Sequence, residues 1–435
     1  MTPPGSALAS PARVLDARMA VEALRAGVPN RAAIRQMGTE QTAVEHAFDA
    51  ALASVWDAAG PTPGATPGAH PGIGVAGGFG SGKSHMLGYL AEVAYAQGFV
   101  VSRVVVSKET PLSHPGHVFA AALRGASLPD RPDDAIAGCI GALRSRPDAL
   151  NALEAAVSVP EAGFPPVFAA CVFLLRRPST TPEILRVISR LWSGAKVTMA
   201  GLRQALGAAG AGRTFQLKPV PAAEMTGHLV RFVPLLARAA GYAGWCLLLD
   251  EVELIGRYTP LQRAMAYAWL ASWLGLGAAR RVPGLATVYA ITDDFATAVI
   301  NARLDSEKLP ERLLLKGREA EAALAQAGIA HIEHTVLHHR LLPLTAKDMM
   351  ACHDKVRLMY RDAYAWPAPP LPPPERTSSR TVRQYIKGWI TQWDLGRLDG
   401  HAVRLVSGSI ASNYAEDASL TEPPGQDDAP DLDMP

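Results

Sequence analysis

Apolar residues recur along the chain with two different spacings, and their alternation predicts an α/β fold. From Leu15 to Trp56 they recur about every 3.6 residues, which predicts helices, with a break at Gly27–Asn30. Ile73–Gly77 then predicts a strand, Lys83–Gln97 a helix, and Phe99–Val106 a second, β-branched strand. Strand, turn, helix and strand in this order form a βαβ unit, which indicates a parallel sheet.

The middle of the chain, about residues 117–243, has mostly helical patterning, and we expect it to be a helical insertion. Three further strands are predicted beyond it, at Trp245–Leu249, Leu285–Ile291 and Ile332–Leu337. A helix is expected at Leu261–Leu276, another at Thr345–Tyr364 with Thr345 as N-cap, and a last one at Arg380–Leu398. The pattern therefore predicts a five-stranded parallel sheet.

Composition divides the 435 residues into four expected parts. They are an N-terminal helical segment (1–58), an α/β core (59–345) that contains the insertion, a second helical segment (346–411) and an acidic, disordered tail (412–435). Prolines and glycines at 59–72 predict a linker, and the prolines of 366–374 a stiff spacer. From Leu405 onward there are seven acidic residues and no basic one, although the whole chain has a net charge of +2.

The compartment and the membrane relationship follow from simpler features. The longest uncharged stretch outside the first linker, Ala264–Ala279, is shorter than the roughly 20 residues of a membrane span, so we expect no membrane insertion. Four widely separated cysteines form no CxxC pair and are typical of a reducing compartment. We therefore expect a cytoplasmic protein.

The strongest chemical motif is Gly77-Gly78-Phe79-Gly80-Ser81-Gly82-Lys83-Ser84, which fits GxxxxGK[ST] between a predicted strand and a predicted helix. Its glycines allow backbone N–H groups to form an anion nest at a helix N-terminus. Lys83 would contact β- and γ-phosphates, and the Ser84 hydroxyl would ligate Mg²⁺. The residues expected to hold ATP are Gly77, Gly80, Ser81, Gly82, Lys83, Ser84 and His85.

Two strand ends complete this candidate site. The apolar run Trp245–Leu249 ends in Asp250 and Glu251. Asp250 would hold Mg²⁺ opposite Ser84, and Glu251 would be the general base that polarises the attacking water. Thr292, at the end of the strand Ala286–Ile291, is expected to position that water. A strand that simply ends in a polar turn is the alternative for Thr292.

These motifs resemble those of AAA+ ATPases, in the branch of origin-recognition and replication-initiation proteins. The resemblance covers about residues 73–398 and rests on GGFGSGKS, LLLDE, the AIT strand end and the LLPLT turn. A narrower resemblance, to the BrxD ATP-binding proteins of BREX phage-defence systems, rests on ALRAGVPNRAAIRQMG (Ala23–Gly38), VVVSKETPL (Val104–Leu112) and LLLDEVELIGRYTPLQRAMAYAWLASWL (Leu247–Leu274). It implies a five-stranded sheet with a helical lid, which corresponds to residues 346–411, in an antiviral setting with helicase and DNA-modification components.

The resemblance also implies two arginines. The second sensor, an arginine that opens a lid helix, corresponds best to Arg380, with Arg383 as the alternative. An arginine finger that acts on a neighbouring subunit should precede the fifth strand, where Arg303, Arg312 and Arg318 occur. Arg312 is our first choice among them.

The expected function is ATP hydrolysis in a homo-oligomeric ring or partial ring, with ATP and Mg²⁺ as cofactors. Helicase and other defence proteins are expected partners, and DNA is a further one. The alternative is a nucleotide-gated scaffold that binds ATP with little turnover. Only about 37 residues follow Leu398, which leaves little room for a winged-helix domain. DNA contact is therefore expected from the ring, the insertion or a partner.

Two weaker groups receive structural interpretations. In a strand, His331 and His339 would share one face and His334 and His338 the other, so ordinary strand-edge histidines are favoured over a metal site. Trp269 and Trp273 share one helix face. We expect that face to pack against the sheet, and a subunit or partner contact is the alternative.

Overall fold

The computed structural model describes residues 11–27, 30–56, 72–131, 134–277, 281–371 and 381–398. The described sheet has four parallel strands in the order β1-β4-β3-β2. They are β1 (Gly72–Ala76), β2 (Val100–Val105), β3 (Trp245–Asp250) and β4 (Leu285–Ile291). Every residue of β1, β3 and β4 is buried, because helices cover both faces of the sheet.

Sixteen helices surround the sheet in the described ranges. They are α1 (Pro11–Ala26), α2 (Arg31–Met37), α3 (Thr42–Ala53), α4 (Lys83–Ala96), α5 (Pro115–Arg124), α6 (Ala135–Arg144), α7 (Pro147–Ser158), α8 (Pro166–Leu175), α9 (Pro182–Trp192), α10 (Ala200–Ala208), α11 (Ala222–Ala240), α12 (Pro260–Leu274), α13 (Asp305–Leu314), α14 (Glu319–His338), α15 (Ala346–Tyr364) and α16 (Val382–Leu398). The stretch between β2 and β3 is helical, as its patterning predicts. None of these helices is long and apolar enough to cross a membrane.

The expected fifth strand is wrong, because Ile332–Leu337 lies inside α14. Ile329, Ile332 and Val336 recur at helical spacing and are all buried, whereas Leu337 is 75% exposed. A run of six residues, of which three are β-branched, is too short to distinguish a strand from a buried helical stripe. After α14 the chain meets β1 through a single parallel bridge between Ala76 and Arg340, so the described sheet has four strands.

Two hydrophobic clusters cover the faces of the sheet. On one face, α3 and α4 pack against the strands through Phe48, Leu87 and Leu90. On the other, α5, α11, α12 and α14 belong to a larger cluster that extends into the helices between β2 and β3. Trp273 lies in this cluster, edge-on to Trp245 at a ring distance of 6.3 Å, which is the expected packing against the sheet.

A third cluster joins the two ends of the described chain, because α1 packs against α15 and α16. Arg25 forms an ion pair with Asp394 at 2.9 Å, and the Arg18 Nε donates to the Ala363 carbonyl at 2.8 Å. Thr345 is the N-cap of α15, as expected, and forms a capping box with Asp348. The N-terminal helix and the C-terminal helices therefore form one body.

The helical register of α14 predicts a stability difference. Ile332→Ala removes a fully buried side chain and should lower the free energy of unfolding by about 2–5 kcal/mol. The matched change Leu337→Ala, on the exposed side of the same helix, should cost less than about 0.5 kcal/mol. Thermal unfolding of both variants measures the difference, and equal losses would contradict the described register.

Candidate functional site

The glycine-rich segment forms a tight loop from the end of β1 to the start of α4. Gly80 and Gly82 have φ of +75° and +100°, in the left-handed region that favours glycine. A Cβ on Gly77 would lie 2.4 Å from the Ser81 Oγ, and one on Gly80 would lie 2.5 Å from the Thr381 Cγ2. The loop thus needs its glycines both for backbone conformation and for close contacts.

Lys83 is held inside this loop. Its Nζ donates to the Gly77 carbonyl at 3.0 Å and lies 3.5 Å from the Glu253 Oε1. The side chain is only 10% exposed. A cation at the first turn of α4, beside the inward-facing loop, is placed to meet an anion that binds at the helix N-terminus.

Glu253 was missed by the sequence analysis. It lies on the short 3₁₀ turn Val252–Arg257 after β3, is 8% exposed, and its Oε2 has no hydrogen-bond partner. Burial raises the pKa of Glu253 to about 7, an effect that outweighs the opposing attraction of Lys83. The second glutamate of Asp250-Glu251-Val252-Glu253 is the feature of the sequence that could have indicated it.

Arg103 connects the two residues expected to bind Mg²⁺. From β2, its Nη2 donates to the Asp250 Oδ2 at 3.2 Å and to the Ser84 carbonyl at 3.0 Å. Asp250 and Ser84 thus share one arginine, which holds the end of β3 beside the start of α4. A hydroxyl and a carboxylate oxygen are hard donors suited to Mg²⁺, which keeps several of its waters. Within the described ranges, no group of three or more His, Cys, Asp or Glu is arranged to hold a metal by itself.

Glu251 is half-buried and has an unusual backbone. Its φ of +60° is left-handed, a conformation that costs free energy for a residue with a Cβ and that recurs at functional sites. Burial, followed by the neighbouring Asp250 carboxylate, raises the pKa of Glu251, while Lys83 and Arg383 lower it. The higher pKa makes this carboxylate a stronger base than an exposed glutamate.

The end of β4 is fastened to the loop. The Gly77 N–H donates to the Ile291 carbonyl at 3.1 Å, and Thr292, the next residue, is buried. Asp293 forms an ion pair with Arg340, and its Oδ1 lies 3.7 Å from where a Cβ on Gly78 would be. The strand end expected to position water is therefore adjacent to the phosphate loop.

The C-terminal helix α16 reaches the same site. Arg380 lies outside the described residues, but the alternative, Arg383, lines the cavity above the loop, and its charge acts on Glu251. Thr381 packs on Gly80 and forms a capping pair with Gln384, whose Oε1 accepts from the Thr381 N–H at 2.8 Å. The start of α16 is thus anchored on the loop.

Arg312 does not belong to this group of residues. It lies near the end of α13, is exposed, and does not line the cavity. Arg318 is also exposed, with its Nη1 3.4 Å from the Met265 Sδ. An arginine that acts on a neighbouring subunit would be exposed in this way, so the role of Arg312 stays a prediction.

A cavity of about 240 Å³ joins these residues to an apolar chamber. The polar end is lined by Gly80, Lys83, Ser84, Glu251, Glu253 and Arg383. The apolar end is lined by Leu24, Ala33, Met37, Leu344, Val382 and Ile386. The chamber is thus built by α1, α2 and α16, whose convergence no local motif indicated.

His85 and Gln41 fasten one wall of this cavity. The Nε2 of the half-buried His85 lies 2.8 Å from the Gly38 carbonyl, and desolvation lowers the pKa of this imidazole. The Gln41 Nε2 donates to the Leu342 carbonyl at 3.0 Å, and its Oε1 accepts from the Leu342 N–H at 2.9 Å. His85 therefore holds the segment after α2 in place, beyond the loop itself.

The histidine group also changes with the loss of the fifth strand. The ring of His334, on α14, lies 4.5 Å from that of His338 and 5.5 Å from that of His339, so the expected division, which put His334 and His339 on opposite strand faces, is wrong. His331 instead lies 3.0 Å from the Tyr289 hydroxyl of β4. These contacts are consistent with a packing role.

Comparison with known protein families bears on the first third of the chain. The family model of the BREX system ATP-binding protein BrxC/D matches residues 16–143. Over these residues the chain is similar to the BREX ATP-binding family. No curated protein matches the chain, and no solved structure matches it. The match confirms the narrower resemblance over Ala23–Gly38 and Val104–Leu112 and covers the glycine-rich loop, whereas Leu247–Leu274 and Arg383 lie beyond it.

The buried Glu253 predicts a pH-dependent stability. Its pKa is raised in the folded state, so the folded chain binds the extra proton, and stability should fall as the pH rises from about 4.5 to about 7. Glu253→Gln, which is neutral throughout, should remove up to about 3 kcal/mol of that fall.

Melting temperatures of wild type and Glu253→Gln between pH 4.5 and 8 measure the effect. Glu311→Gln, at an exposed position on α13, is the matched control and should follow the wild type. Parallel curves for all three proteins would contradict the buried, raised-pKa carboxyl.

Proposed function

We propose that this chain is an ATP-binding protein of a BREX phage-defence system that hydrolyses ATP with Mg²⁺. One observation carries the proposal: Lys83, Ser84 and Glu251 line a single cavity that also has apolar lining, and Arg103 holds Asp250 beside Ser84. The family match over the phosphate loop supports it. The triphosphate and the metal ion would bind in this cavity beside the carboxylate that acts as the base.

The polar end would bind the triphosphate. Loop N–H groups and the N-terminus of α4 attract the phosphates, and Lys83 exchanges its contacts with loop carbonyls and Glu253 for phosphate oxygens. Bound Mg²⁺, held by Ser84 and Asp250, would neutralise phosphate charge. Arg103 keeps these two ligands together. The apolar end, lined by Leu24 and Ile386 among others, would accept the adenine ring.

Hydrolysis would use Glu251 as the base. Its carboxylate would take a proton from a water molecule whose oxygen attacks the γ-phosphorus. The bond from that phosphorus to the β–γ bridging oxygen would break, giving ADP and inorganic phosphate. Thr292 would orient this water from the end of β4. Arg383 would contact the phosphates from α16, the place that the AAA+ resemblance assigns to the second sensor. We keep the AAA+ class, with its ring or partial-ring oligomer, as part of this proposal.

A nucleotide-gated scaffold is the second candidate. A switch needs the loop and Lys83, but it needs no base beside the metal site. The strained, partly buried Glu251 favours hydrolysis, because a conformation that costs free energy is more readily explained at a reactive position. Either candidate function could be coupled to a helicase or to DNA.

Two substitutions separate the candidates. Lys83→Ala should weaken ATP binding about 10–100-fold, the value of one or two charge-assisted hydrogen bonds. Glu251→Gln should retain binding and lower turnover by about 10²–10⁴-fold. Calorimetric ATP binding and steady-state phosphate release measure the two effects.

Glu307→Gln, at an exposed position on α13, is the control for Glu251→Gln. Unchanged affinity in Lys83→Ala would contradict the phosphate site. Wild-type turnover equal to that of Glu251→Gln, with tight ATP binding in both, would favour the scaffold.

A third substitution tests the expected arginine finger. Arg312→Ala should bind ATP normally and lose turnover, because its guanidinium would serve a neighbouring subunit. Mixing it with Glu251→Gln subunits should restore part of the turnover, since mixed interfaces then contain one intact arginine and one intact base. Lys316→Ala, close by on the same exposed segment, should keep wild-type turnover. Mixtures without any recovery would place the finger elsewhere.

A further inference from the structure

The charge of the helices between β2 and β3 is unevenly distributed. Residues 162–223 contain eight basic residues and one acidic residue, although the net charge of the whole chain is only +2. The acidic one is Glu183, and the basic ones are Arg176, Arg177, Arg186, Arg190, Lys196, Arg203, Arg213 and Lys218. The segment thus has a charge of +7, and the remainder of the chain is net negative.

All eight basic residues are exposed, and few are neutralised by carboxylates. Arg186 pairs with Glu183 at 3.0 Å, and Arg176 pairs with Glu154 at 2.9 Å. Arg190, Arg213 and Lys218 form no ion pair with any residue of the described ranges. A group of exposed cations that lacks carboxylates creates a positive potential that attracts a polyanion.

Contacts bring these cations together on neighbouring segments. On α9, Arg186 and Arg190 are one turn apart on the side opposite the buried Trp192. α9 meets α10, since a Cβ on Gly201 would lie 3.6 Å from the Ile184 Cδ1.

The segment after α10 continues the same surface. The Arg203 Nη2 donates to the Leu217 carbonyl at 3.1 Å, which puts Lys218 beside α10. The ring of Phe215 packs on that of Phe173 at 5.3 Å, and the Arg177 guanidinium covers the Phe173 ring at 4.6 Å. We call the surface formed by the end of α8, α9, α10 and residues 213–218 the basic surface.

The basic surface rests on a packed body. Ile188, Trp192, Leu202 and Leu206 are all almost fully buried in the large cluster that also covers the sheet. The cations are therefore mounted on fixed helices, which hold them at constant separations. A rigid array suits a partner whose negative charges are themselves regularly spaced.

We propose that the basic surface binds the phosphate backbone of duplex nucleic acid, independently of base sequence. Single-stranded binding normally adds aromatic rings on which bases stack. Here Trp192 is buried, and Phe173 and Phe215 are half-buried against each other, so residues 162–223 present no exposed ring. Contacts to phosphates alone position a protein on a duplex without reading its bases.

This binding site does not depend on the proposed ATP hydrolysis. None of the residues that line the nucleotide cavity belongs to the segment 162–223. Duplex binding at equilibrium is measured without ATP, so its loss is distinguishable from a failure of the nucleotide site.

The test uses the full chain and a short fluorescein-labelled DNA duplex of mixed sequence. Fluorescence anisotropy gives the dissociation constant over a range of salt concentrations. Replacing Arg190 and Lys218 with glutamine should reduce the slope of log affinity against log salt by roughly 1.8. If the double variant and the wild type have equal affinity at high salt, the smaller slope corresponds to roughly 30-fold weaker binding by the variant near 0.15 M salt.

A double variant with Arg13 and Lys347 replaced by glutamine is the matched control. It removes the same charge from two other exposed positions, on α1 and α15. If this control binds the duplex with the affinity and the salt slope of the wild type, the result supports duplex binding at the basic surface. Equal losses in both double variants would attribute binding to net charge and overturn the proposal.

Two further results would overturn it. One is no detectable binding of the wild-type chain to the duplex at low salt. The other is that the wild-type chain binds the corresponding single strand more tightly than the duplex, and that both double variants retain this tighter binding. Unaltered melting temperatures and ATP affinities of the two double variants show that the comparison involves folded proteins.

Discussion

The candidate site depends on the parallel alignment of β1, β3 and β4. Parallel strands end at the same edge of the sheet, so the phosphate loop, Asp250 and Thr292 reach one place from distant parts of the chain. Two contacts fix this edge: the Gly77–Ile291 hydrogen bond and the bonds of Arg103 to Asp250 and Ser84. Without this register, the motif residues would have the right identities but no common site.

The edge becomes a cavity only because the two ends of the described chain meet there. α1 and α2 supply one apolar wall, and α16 brings Val382, Arg383 and Ile386 over the loop. The Arg25–Asp394 ion pair and the close packing of Thr381 on Gly80 link these helices to each other and to the loop. A movement of α16 would therefore change the phosphate end and the apolar end together, which relates nucleotide binding to the position of the C-terminal helices.

Local sequence patterns were enough to predict the features that short-range interactions determine. The loop glycines, the four strands and the capping box at Thr345 follow from short-range sterics and hydrogen bonding, and the sequence was enough for them. The fifth strand was wrong because six residues of α14 have the same apolar content as a strand. Glu253, the packing of α1 on α15, and the placement of Arg383 arise from contacts between distant residues, which no local pattern contains.

The central claim is that one nucleotide is enclosed by the loop, α2 and α16. Hydrogen–deuterium exchange with and without MgATP tests it most directly, because amides that a ligand covers or orders exchange more slowly. The account predicts slower exchange at residues 77–86, 33–41 and 382–386 together, and no such change in Lys83→Ala. ATP binding that slows exchange only outside these three segments would contradict it.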